Sequence, residues 1–375
     1  MKHKRFWAGL AAAACLAASL SGCGWLRPLQ ALLSAARSGI APASPASSAA
    51  AAALPDTASA PAQAASAAPD ADSAFAQLRQ SILAGEASVT LAGVSVDVFD
   101  AAYQRILLDP ELFGISGCQY TYGDSGVTVS WKWDSGDYAD QLQAARAAAD
   151  AVCAGISAQA GDYDKAKYVH DWLCQNVTYQ ENGDRTDQNI YGALVLHRAV
   201  CGGYASTFVY LLQRLGVAAS YIAGTDDTGG AHAWNSVVLG GETYYVDVTW
   251  DDQTAADPGF IDYSWFCLTS AEMRADHIPG DGYAMPDTSA TACNYFVHSG
   301  YVLDSWDEAR CTEILAQQTS GCRMLRCADD ACYQQTLQAL VEDGRLFDVL
   351  EAAGSPTDNL RYITHDGLRV LIVFG

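Results

Sequence analysis

The chain has 375 residues, of which half are hydrophobic, so it is long and apolar enough to fold into two or three domains with separate cores. Its formal net charge is -22 and its pI is near 4.4. No cluster of lysine and arginine interrupts this acidity after residue 5, which argues against a nucleic-acid partner and favours solubility at neutral pH.

The N-terminus has the pattern of an export signal. Basic residues precede an apolar run from Phe6 to Leu20, which is shorter than the roughly 20 residues that a transmembrane helix needs. The run ends in Leu20-Ser21-Gly22-Cys23, which resembles the lipobox of bacterial lipoproteins. This resemblance implies that residues 1–22 are removed and that Cys23 is acylated, which anchors the protein to the outer face of a bacterial membrane. An ordinary secretory signal with an incidental cysteine is the alternative.

A low-complexity segment follows the signal. From about Pro28 to Ser73 the sequence is mostly Ala, Ser and Pro, with scarcely an aromatic or branched side chain. Such a segment cannot bury enough apolar surface to offset the entropy lost on ordering. Residues 23–73 are therefore predicted to be a lipidated cysteine and a disordered tether.

Residues 74–160 are predicted to form a small N-terminal α+β domain. A helical stripe of apolar residues begins at Phe75, and Ala139 to Ala158 has the composition of a helix. The stretch from Tyr120 to Trp133 predicts a hairpin, because apolar residues alternate on one face after the turn Gly123-Asp124-Ser125-Gly126. The sequence does not indicate what this domain does.

A thiol lies at the predicted start of a helix in the next predicted domain, residues 161–293. The apolar stripe after Cys201 and the C-terminal cap position of Gly216 define this helix. In its first turn the helix dipole favours a thiolate, and unpaired backbone N–H groups are available to an oxyanion. Gly202 and Gly203 keep side chains away from an approaching acyl group. A structural buried cysteine is the alternative interpretation.

His232 and Asp247 lie in a predicted hairpin. Its strands run from Ala231 to Leu239 and from Thr243 to Trp250, joined through Gly240-Gly241. A two-residue turn places His232 opposite Thr249 and makes His232 and Asp247 diagonal neighbours on one face. A turn one residue longer would place them on opposite faces. Considered alone, His232 would be interpreted as a structural histidine and Asp247 as a solvated strand residue. The predicted register favours a contact between them instead.

At these residues the sequence resembles the transglutaminase-like superfamily. The matching stretches are Tyr191-Gly192-Ala193-Leu194, Ala199 to Ala205, Ala231 to Asn235, Val246 to Asp252, the helix around Lys165 to Trp172, and the tail through Met273, Asp276 and His277. The resemblance implies a papain-like α+β core. In that core Cys201 attacks an amide carbonyl, His232 takes and returns the proton, and Asp247 orients His232.

The remaining site residues are weaker candidates. The backbone N–H of Cys201 is the predicted oxyanion donor, with Tyr191, Gly202 and Trp234 as candidate oxyanion or substrate contacts. His197 lies four residues before Cys201 and is an alternative base, although a surface loop residue is the favoured interpretation. No metal ligand set and no cofactor motif is predicted.

Nine cysteines remain once Cys15, Cys23 and Cys201 are set aside. They are Cys118, Cys153, Cys174, Cys267, Cys293, Cys311, Cys322, Cys327 and Cys332. The last three lie five residues apart, which is not the spacing of a zinc knuckle. We predict structural or buried thiols, and disulfides stay open because sequence does not fix connectivity. Residues 294–375 are predicted to be a C-terminal α/β module for binding or packing.

The predicted fold class is α+β: a papain-like transglutaminase core with an antiparallel sheet and a nucleophile helix, flanked by small modules at both ends. The predicted function is that of a surface-anchored cysteine acyl-transfer enzyme, acting by hydrolysis or transfer on peptide or isopeptide amides of a substrate at the cell surface. The alternative is a non-catalytic module that binds cell wall or protein and retains the fold. The sequence does not fix the oligomeric state.

Overall fold

The structure, a computed structural model, describes residues 70–374 except positions 135, 182, 256, 258, 319, 320, 356, 358 and 359. The predicted signal peptide, the predicted lipidation site at Cys23 and most of the predicted tether lie outside the described residues. None of the helices in the described part combines the length and apolar character needed to cross a bilayer.

The described residues divide into two compact units, 70–142 and 143–374. The boundary falls inside helix α3 (Tyr138–Cys153). This division does not separate the predicted C-terminal module from the predicted catalytic domain, because both belong to the second unit.

The first unit packs two helices with a three-stranded antiparallel sheet of order β1-β3-β2. Its elements are α1 (Ala71–Leu83), β1 (Ser88–Ala92), α2 (Val96–Leu108), β2 (Ile115–Gly123) and β3 (Gly126–Trp133). The predicted hairpin is confirmed, since Gly123 pairs with Gly126 across a two-residue turn. The predicted tether extends too far, because α1 begins at Ala71, where the Asp70 side chain caps it by accepting from the Ser73 N–H.

A five-stranded antiparallel sheet of order β10-β6-β7-β8-β9 carries His232 and lies against the helix that begins at Cys201. The elements around this sheet are α4 (Asp162–Asn176), β4 (Thr178–Tyr179), α5 (Ile190–Leu194), β5 (Arg198–Ala199), α6 (Cys201–Arg214), β6 (Ala219–Asp226), β7 (Ala231–Leu239), β8 (Glu242–Val246), α7 (Val248–Asp251), β9 (Phe266–Leu268), α8 (Ser270–Met273) and β10 (His277–Pro279). The predicted α+β class with an antiparallel sheet is confirmed. A helix begins at Cys201 as predicted, and its role as a nucleophile helix stays a prediction.

Helix α6 packs its apolar face on β6 and β7. Asn235 of β7 fixes the contact, because its side-chain amide donates to the Ala205 carbonyl of α6 (2.9 Å) and to the Ser220 carbonyl of β6 (3.2 Å). The helix ends as predicted, with Gly216 in the left-handed conformation (φ 79°) just beyond it. The start of α6 is thereby held against the sheet that carries His232.

The turn between β7 and β8 has the predicted register, with Leu239 opposite Glu242 and Asn235 opposite Val246. The predicted length of β8 is wrong, because the strand ends at Val246 and α7 follows. The Asp247 side chain accepts from the backbone N–H groups of Thr249 and Trp250, which caps α7 and ends the strand. The predicted pairing of His232 with Thr249 is therefore wrong as well.

The C-terminal part forms a mixed sheet of order β11-β12-β14-β13. Its elements are α9 (Tyr295–Ser299), β11 (Val302–Leu303), α10 (Glu308–Ala316), β12 (Cys322–Cys327), α11 (Asp330–Leu337), α12 (Leu346–Ala352), β13 (Arg361–His365) and β14 (Val370–Phe374). The sequence predicts a strand from Val297 to Leu303, but the first half is helical because Asn294 caps α9 and Gly300 (φ 74°) ends it.

Most of the remaining cysteines are structural thiols in the fold. Cys174, Cys267, Cys311, Cys327 and Cys332 are buried free thiols, and Cys118, Cys153 and Cys293 are half-buried free thiols. Burial raises the pKa of the Cys174 and Cys267 thiols well above the ordinary value. These two thiols are therefore protonated and unreactive at neutral pH.

The close approach of β6 and β10 allows a test of the sheet. A Cβ on Gly224 of β6 would lie 2.0 Å from the Ile278 carbonyl oxygen of β10, whereas a Cβ on Gly367 would meet no atom within 4 Å. We expect Gly224→Ala to lower the free energy of unfolding by about 1–3 kcal/mol, since the added methyl group would clash with the Ile278 backbone, which cannot move without disturbing the sheet. Gly367→Ala is the matched control. Thermal unfolding followed by circular dichroism checks this, and equal melting temperatures for both variants would contradict the packing.

Candidate active site

Cys201 is the first residue of α6 and is buried. Val200 precedes it as the N-cap and supplies no side-chain hydrogen bond to the helix end. The backbone N–H of Gly202 has no hydrogen-bond partner among the described residues. A thiol at this position lies in the positive field of the helix N-terminus, beside a backbone donor that is available to a developing negative charge.

Gly202 and Gly203 are required by packing. A Cβ on Gly202 would lie 2.5 Å from Oε1 of Gln188, and a Cβ on Gly203 would lie 2.4 Å from the Asp187 carbonyl oxygen. Both contacts come from the single 3-10 turn Thr186–Gln188. The glycines therefore let this turn lie directly against the first turn of α6. The structure thus gives them a packing role, in addition to the predicted role of keeping side chains away from an acyl group.

The Cys201 side chain lies where α6 meets the sheet. It belongs to a small buried cluster with Ala205 of α6 and Ala233 of β7, and the half-buried Tyr221 of β6 packs against this cluster. Ala233 directly follows His232 in β7. The fold thus brings the helix that begins at Cys201 to the end of β7 that carries His232.

His232 is the second residue of β7 and pairs with Gly224 of β6. Its Nε2 lies 2.6 Å from Oδ2 of Asp247. Its Nδ1 has no hydrogen-bond partner among the described residues, and Trp250 stacks on the ring at a centroid distance of 5.3 Å. Because an ionised carboxylate only accepts, Nε2 carries the proton in this bond. Nδ1 is therefore the nitrogen that is available to exchange a proton.

Asp247 is fully buried, and each of its oxygens accepts two hydrogen bonds. Oδ1 accepts from the backbone N–H groups of Thr249 (2.9 Å) and Trp250 (3.2 Å). Oδ2 accepts from Nε2 of His232 (2.6 Å) and Nε2 of His277 (3.0 Å). Burial alone would raise the pKa of this carboxyl, but the two histidines outweigh burial and hold the pKa below its ordinary value. Asp247 is therefore ionised at neutral pH.

His277 is a member of this cluster that sequence reasoning gives no role. It lies at the start of the edge strand β10, thirty residues from Asp247, and its Nδ1 is 2.6 Å from Oδ1 of Asp276. Burial lowers the pKa of His277, but the hydrogen bonds to Asp247 and Asp276 outweigh it and raise the pKa to about 9. In the sequence, the adjacent residues Asp276 and His277 are a carboxylate beside an imidazole, and this is the signal that could have indicated a functional histidine. The contact of His277 with Asp247 is visible only in the fold.

A second buried histidine holds the other end of α7. Nδ1 of His170 lies 3.1 Å from Oδ1 of Asp171, and Nε2 lies 3.0 Å from Oδ2 of Asp251, the last residue of α7. Burial lowers the pKa of His170, but both carboxylates outweigh it and raise the pKa to about 9. The short helix that Asp247 begins is therefore bound at each end by a buried imidazole.

The weaker candidate residues have mixed outcomes. Tyr191 is half-buried in α5, and its hydroxyl has no hydrogen-bond partner among the described residues, so its oxyanion role stays a prediction. Trp234 is buried edge-on against His277 (4.8 Å between centroids), and its substrate contact also stays a prediction. His197 is exposed in the left-handed conformation (φ 54°), with Nδ1 3.0 Å from the Asn176 carbonyl oxygen, so the surface-loop interpretation is correct.

His232, Asp247 and His277 are also the group whose chemistry suits a metal ion, since their donor atoms lie within 4.8 Å of one another. Four-coordinate zinc with bonds of roughly 2.0–2.1 Å separates its ligand atoms by about 3.3 Å. The contacts to Oδ2 of Asp247 are 2.6 and 3.0 Å, which are hydrogen-bond lengths. We therefore interpret the group as a proton-sharing cluster, and the absence of a metal stays a prediction.

One part of the chain is similar to a known domain family. Residues 146–250 match the family model described as the Transglutaminase-like superfamily. This segment contains Cys201, His232 and Asp247, and it covers the strands that position them.

Two solved structures are distantly similar to the chain. A protein described as a TGase is 14% identical with a TM-score of 0.27, and the match covers 52% of this chain and 53% of that one. A protein from Cytophaga hutchinsonii described as a "putative cysteine protease" is 20% identical with a TM-score of 0.24, covering 29% of this chain and 37% of that one. The chain thus spans about half the length of the first of these structures. No curated protein matches the chain.

The two raised histidine pKa values predict how stability depends on pH. His170 and His277 keep a proton in the fold up to about pH 9, whereas unfolded histidines release it near 6.5. Their contribution to stability is therefore complete below about pH 6.5 and is lost as pH rises through about 9. Urea unfolding should show a loss on the order of 2–3 kcal/mol per histidine across this range. His170→Gln should flatten the dependence, and an equally steep curve in the variant would contradict the assignment.

Proposed function

We propose that this protein is a cysteine-nucleophile acyl-transfer enzyme with Cys201 as nucleophile, His232 as base and Asp247 as the residue that orients His232. One observation carries the proposal. His232 donates from Nε2 to the buried, ionised Asp247 at 2.6 Å, at the end of the strand whose next residue packs with Cys201. This is the order of contacts that an activated thiol needs: nucleophile, base, orienting carboxylate.

The proposed reaction has two halves. The Cys201 sulfur attacks the amide carbonyl carbon while Nδ1 of His232 holds the thiol proton, and Asp247 stabilises the imidazolium that results. The carbon–nitrogen bond then breaks, and His232 returns the proton to the leaving amine. This leaves a thioester on Cys201. His232 takes a proton from water or from a second amine as that molecule attacks the thioester carbonyl carbon; the carbon–sulfur bond then breaks, and His232 returns the proton to the Cys201 sulfur.

The negative charge on the tetrahedral intermediate would be stabilised at the start of α6. The backbone N–H of Gly202 is without a partner among the described residues and lies beside the thiol in sequence. It supplies a fixed donor in the positive field of the helix end, and the N–H of Cys201 stays a predicted donor. This supports an oxyanion role for the first turn of α6, with the Gly202 contribution made by backbone.

The proposed substrate is a peptide or isopeptide amide of a protein or cell-wall polymer at the cell surface. The lipobox-like sequence ending at Cys23 supports a membrane anchor, and the Ala/Ser/Pro-rich segment that follows supports a tether. Hydrolysis and transfer pass through the same thioester, so adding a primary amine such as cadaverine distinguishes them. The appearance of the amine adduct of a peptide substrate indicates transfer.

A non-catalytic binding module is the alternative in a different class. Such a module would bind a wall or protein ligand without a chemical step. It has no chemical need for a buried carboxylate that fixes the tautomer of His232, and this arrangement favours the enzyme.

Alkylation of cysteines tests the proposal without knowledge of the substrate. In the full chain at pH 6.5 we expect iodoacetamide to label Cys201 at least about 10-fold faster than Cys153 or Cys293, because an ordinary thiol is only about 1% ionised there. Those two thiols are half-buried and Cys201 is buried, so accessibility favours the opposite order. Peptide mass spectrometry reads each site.

His232→Ala should remove the advantage of Cys201, and Asp247→Asn should reduce it. His365→Gln is the control, because His365 is a histidine bonded to a carboxylate, Asp262, at 2.6 Å outside the cluster. Labelling of Cys201 no faster than Cys153 would support the binding module instead.

A further inference from the structure

His277 makes contacts that require two donated protons. Its Nε2 lies 3.0 Å from Oδ2 of Asp247, and its Nδ1 lies 2.6 Å from Oδ1 of Asp276. A carboxylate only accepts hydrogen bonds, and a neutral imidazole has a single N–H. Two ionised carboxylates can therefore both be satisfied only if His277 is an imidazolium.

The Asp247 oxygen that His277 binds is the one that orients His232. Oδ2 accepts from both imidazoles, whose ring centroids are 5.3 Å apart. A positive charge on one ring therefore changes the proton affinity of the other ring, both directly and through the shared oxygen.

We propose that His277, held by Asp276, is a cationic positioning residue of the triad that fixes the Asp247 carboxylate and tunes the proton affinity of His232. The inference rests on the proposed function, since it concerns the same Cys201–His232–Asp247 chemistry. His277 touches neither substrate nor the reacting atoms and acts through Asp247.

The surroundings of His277 keep this coupling away from water. The ring is fully buried, and Trp234 and Trp250 pack on it at centroid distances of 4.8 and 4.4 Å. Trp265 approaches Asp276, with its Nε1 3.4 Å from Oδ2. Removal of water lowers the effective dielectric constant, so charges that share this space interact more strongly than at the surface.

The charged groups that face His277 come from four elements. They are Asp276 on the segment leading into β10, Asp247 at the start of α7, His232 on β7, and Asp226 of β6, which pairs with His277 across the ladder. The raised pKa of His277, about 9, agrees with a site in which carboxylates dominate.

The chemical consequence appears when His232 takes the thiol proton. Asp247 then lies between two cations, and Asp276 balances the charge of His277. A permanent cation on Asp247 limits how strongly that carboxylate holds the proton on His232, so His232 can return it to the leaving amine. Removing the charge of His277 should therefore make His232 hold its proton more tightly.

Histidine side-chain ¹⁵N NMR of the full chain across pH tests the inference directly. In the unaltered protein, His277 should give imidazolium signals through pH 8. His277→Gln keeps an N–H donor for Asp247 but removes the charge, and the titration midpoint of His232 should rise by about 1 pH unit. His365→Gln should leave that midpoint in place.

Asp276→Asn provides a second variant if His277→Gln does not fold. It leaves His277 intact but removes one carboxylate, so the pKa of His277 should fall by about 1 unit or more. A merely structural role would lower the melting temperature in these variants without moving either titration.

Two results would overturn the inference: loss of the His277 proton below pH 7 in the unaltered protein, or a His232 midpoint that is the same in His277→Gln and His365→Gln. Failure of the proposed function is a separate outcome. It would appear as slow alkylation of Cys201 in the unaltered protein, whatever the histidine titrations show.

Discussion

The buried carboxylate of Asp247 is the constraint on which the rest of this site depends. Two backbone N–H groups of α7 bind one of its oxygens, and His232 and His277 bind the other. An ionised carboxylate out of water costs several kcal/mol unless such partners compensate it. The same four contacts end strand β8, begin α7, fix the tautomer of His232 and hold the edge strand β10 against the sheet. Local structure and proposed chemistry therefore have one common cause.

The packing that supports α7 and the segment after it reaches beyond the site, to His170 and to the C-terminal part of the chain. At the far end of α7, the Asp251 carboxylate is hydrogen-bonded to Nε2 of His170. Two contacts bind the segment after α7 to the C-terminal sheet. Nε2 of His365 lies 2.6 Å from Oδ2 of Asp262, and Phe374 packs edge-on against Phe260 at a centroid distance of 4.8 Å. The C-terminal part thus packs against the segment that follows Asp247 and α7. This explains why it falls in the same compact unit as Cys201.

The sequence predicts the parts of the site that depend on short-range rules. The apolar stripe and Gly216 define α6, and the Gly240-Gly241 turn fixes the register that brings Asn235 opposite Val246. His232 and Asp247 are in contact as predicted, but the contact lies beyond the last ladder pair, where Asp247 caps α7. The sequence does not reveal that Asp247 stops the strand, because strand propensity and an aspartate cap compete locally and tertiary contacts decide the outcome. The contact of His277 with Asp247 needs β10 placed beside β6, a long-range pairing that no periodicity encodes.

The most direct test of the account is the formation of a covalent intermediate. Mixing the protein with p-nitrophenyl acetate and following nitrophenol release should show a burst of about one equivalent per chain, with the acetyl group on Cys201 by intact and peptide mass spectrometry. His232→Ala should slow acylation by about 100-fold or more, since the base contributes on this order. An acetyl group spread over Cys118, Cys153 and Cys293, or acylation of Cys201 at an unchanged rate without His232, would contradict the account.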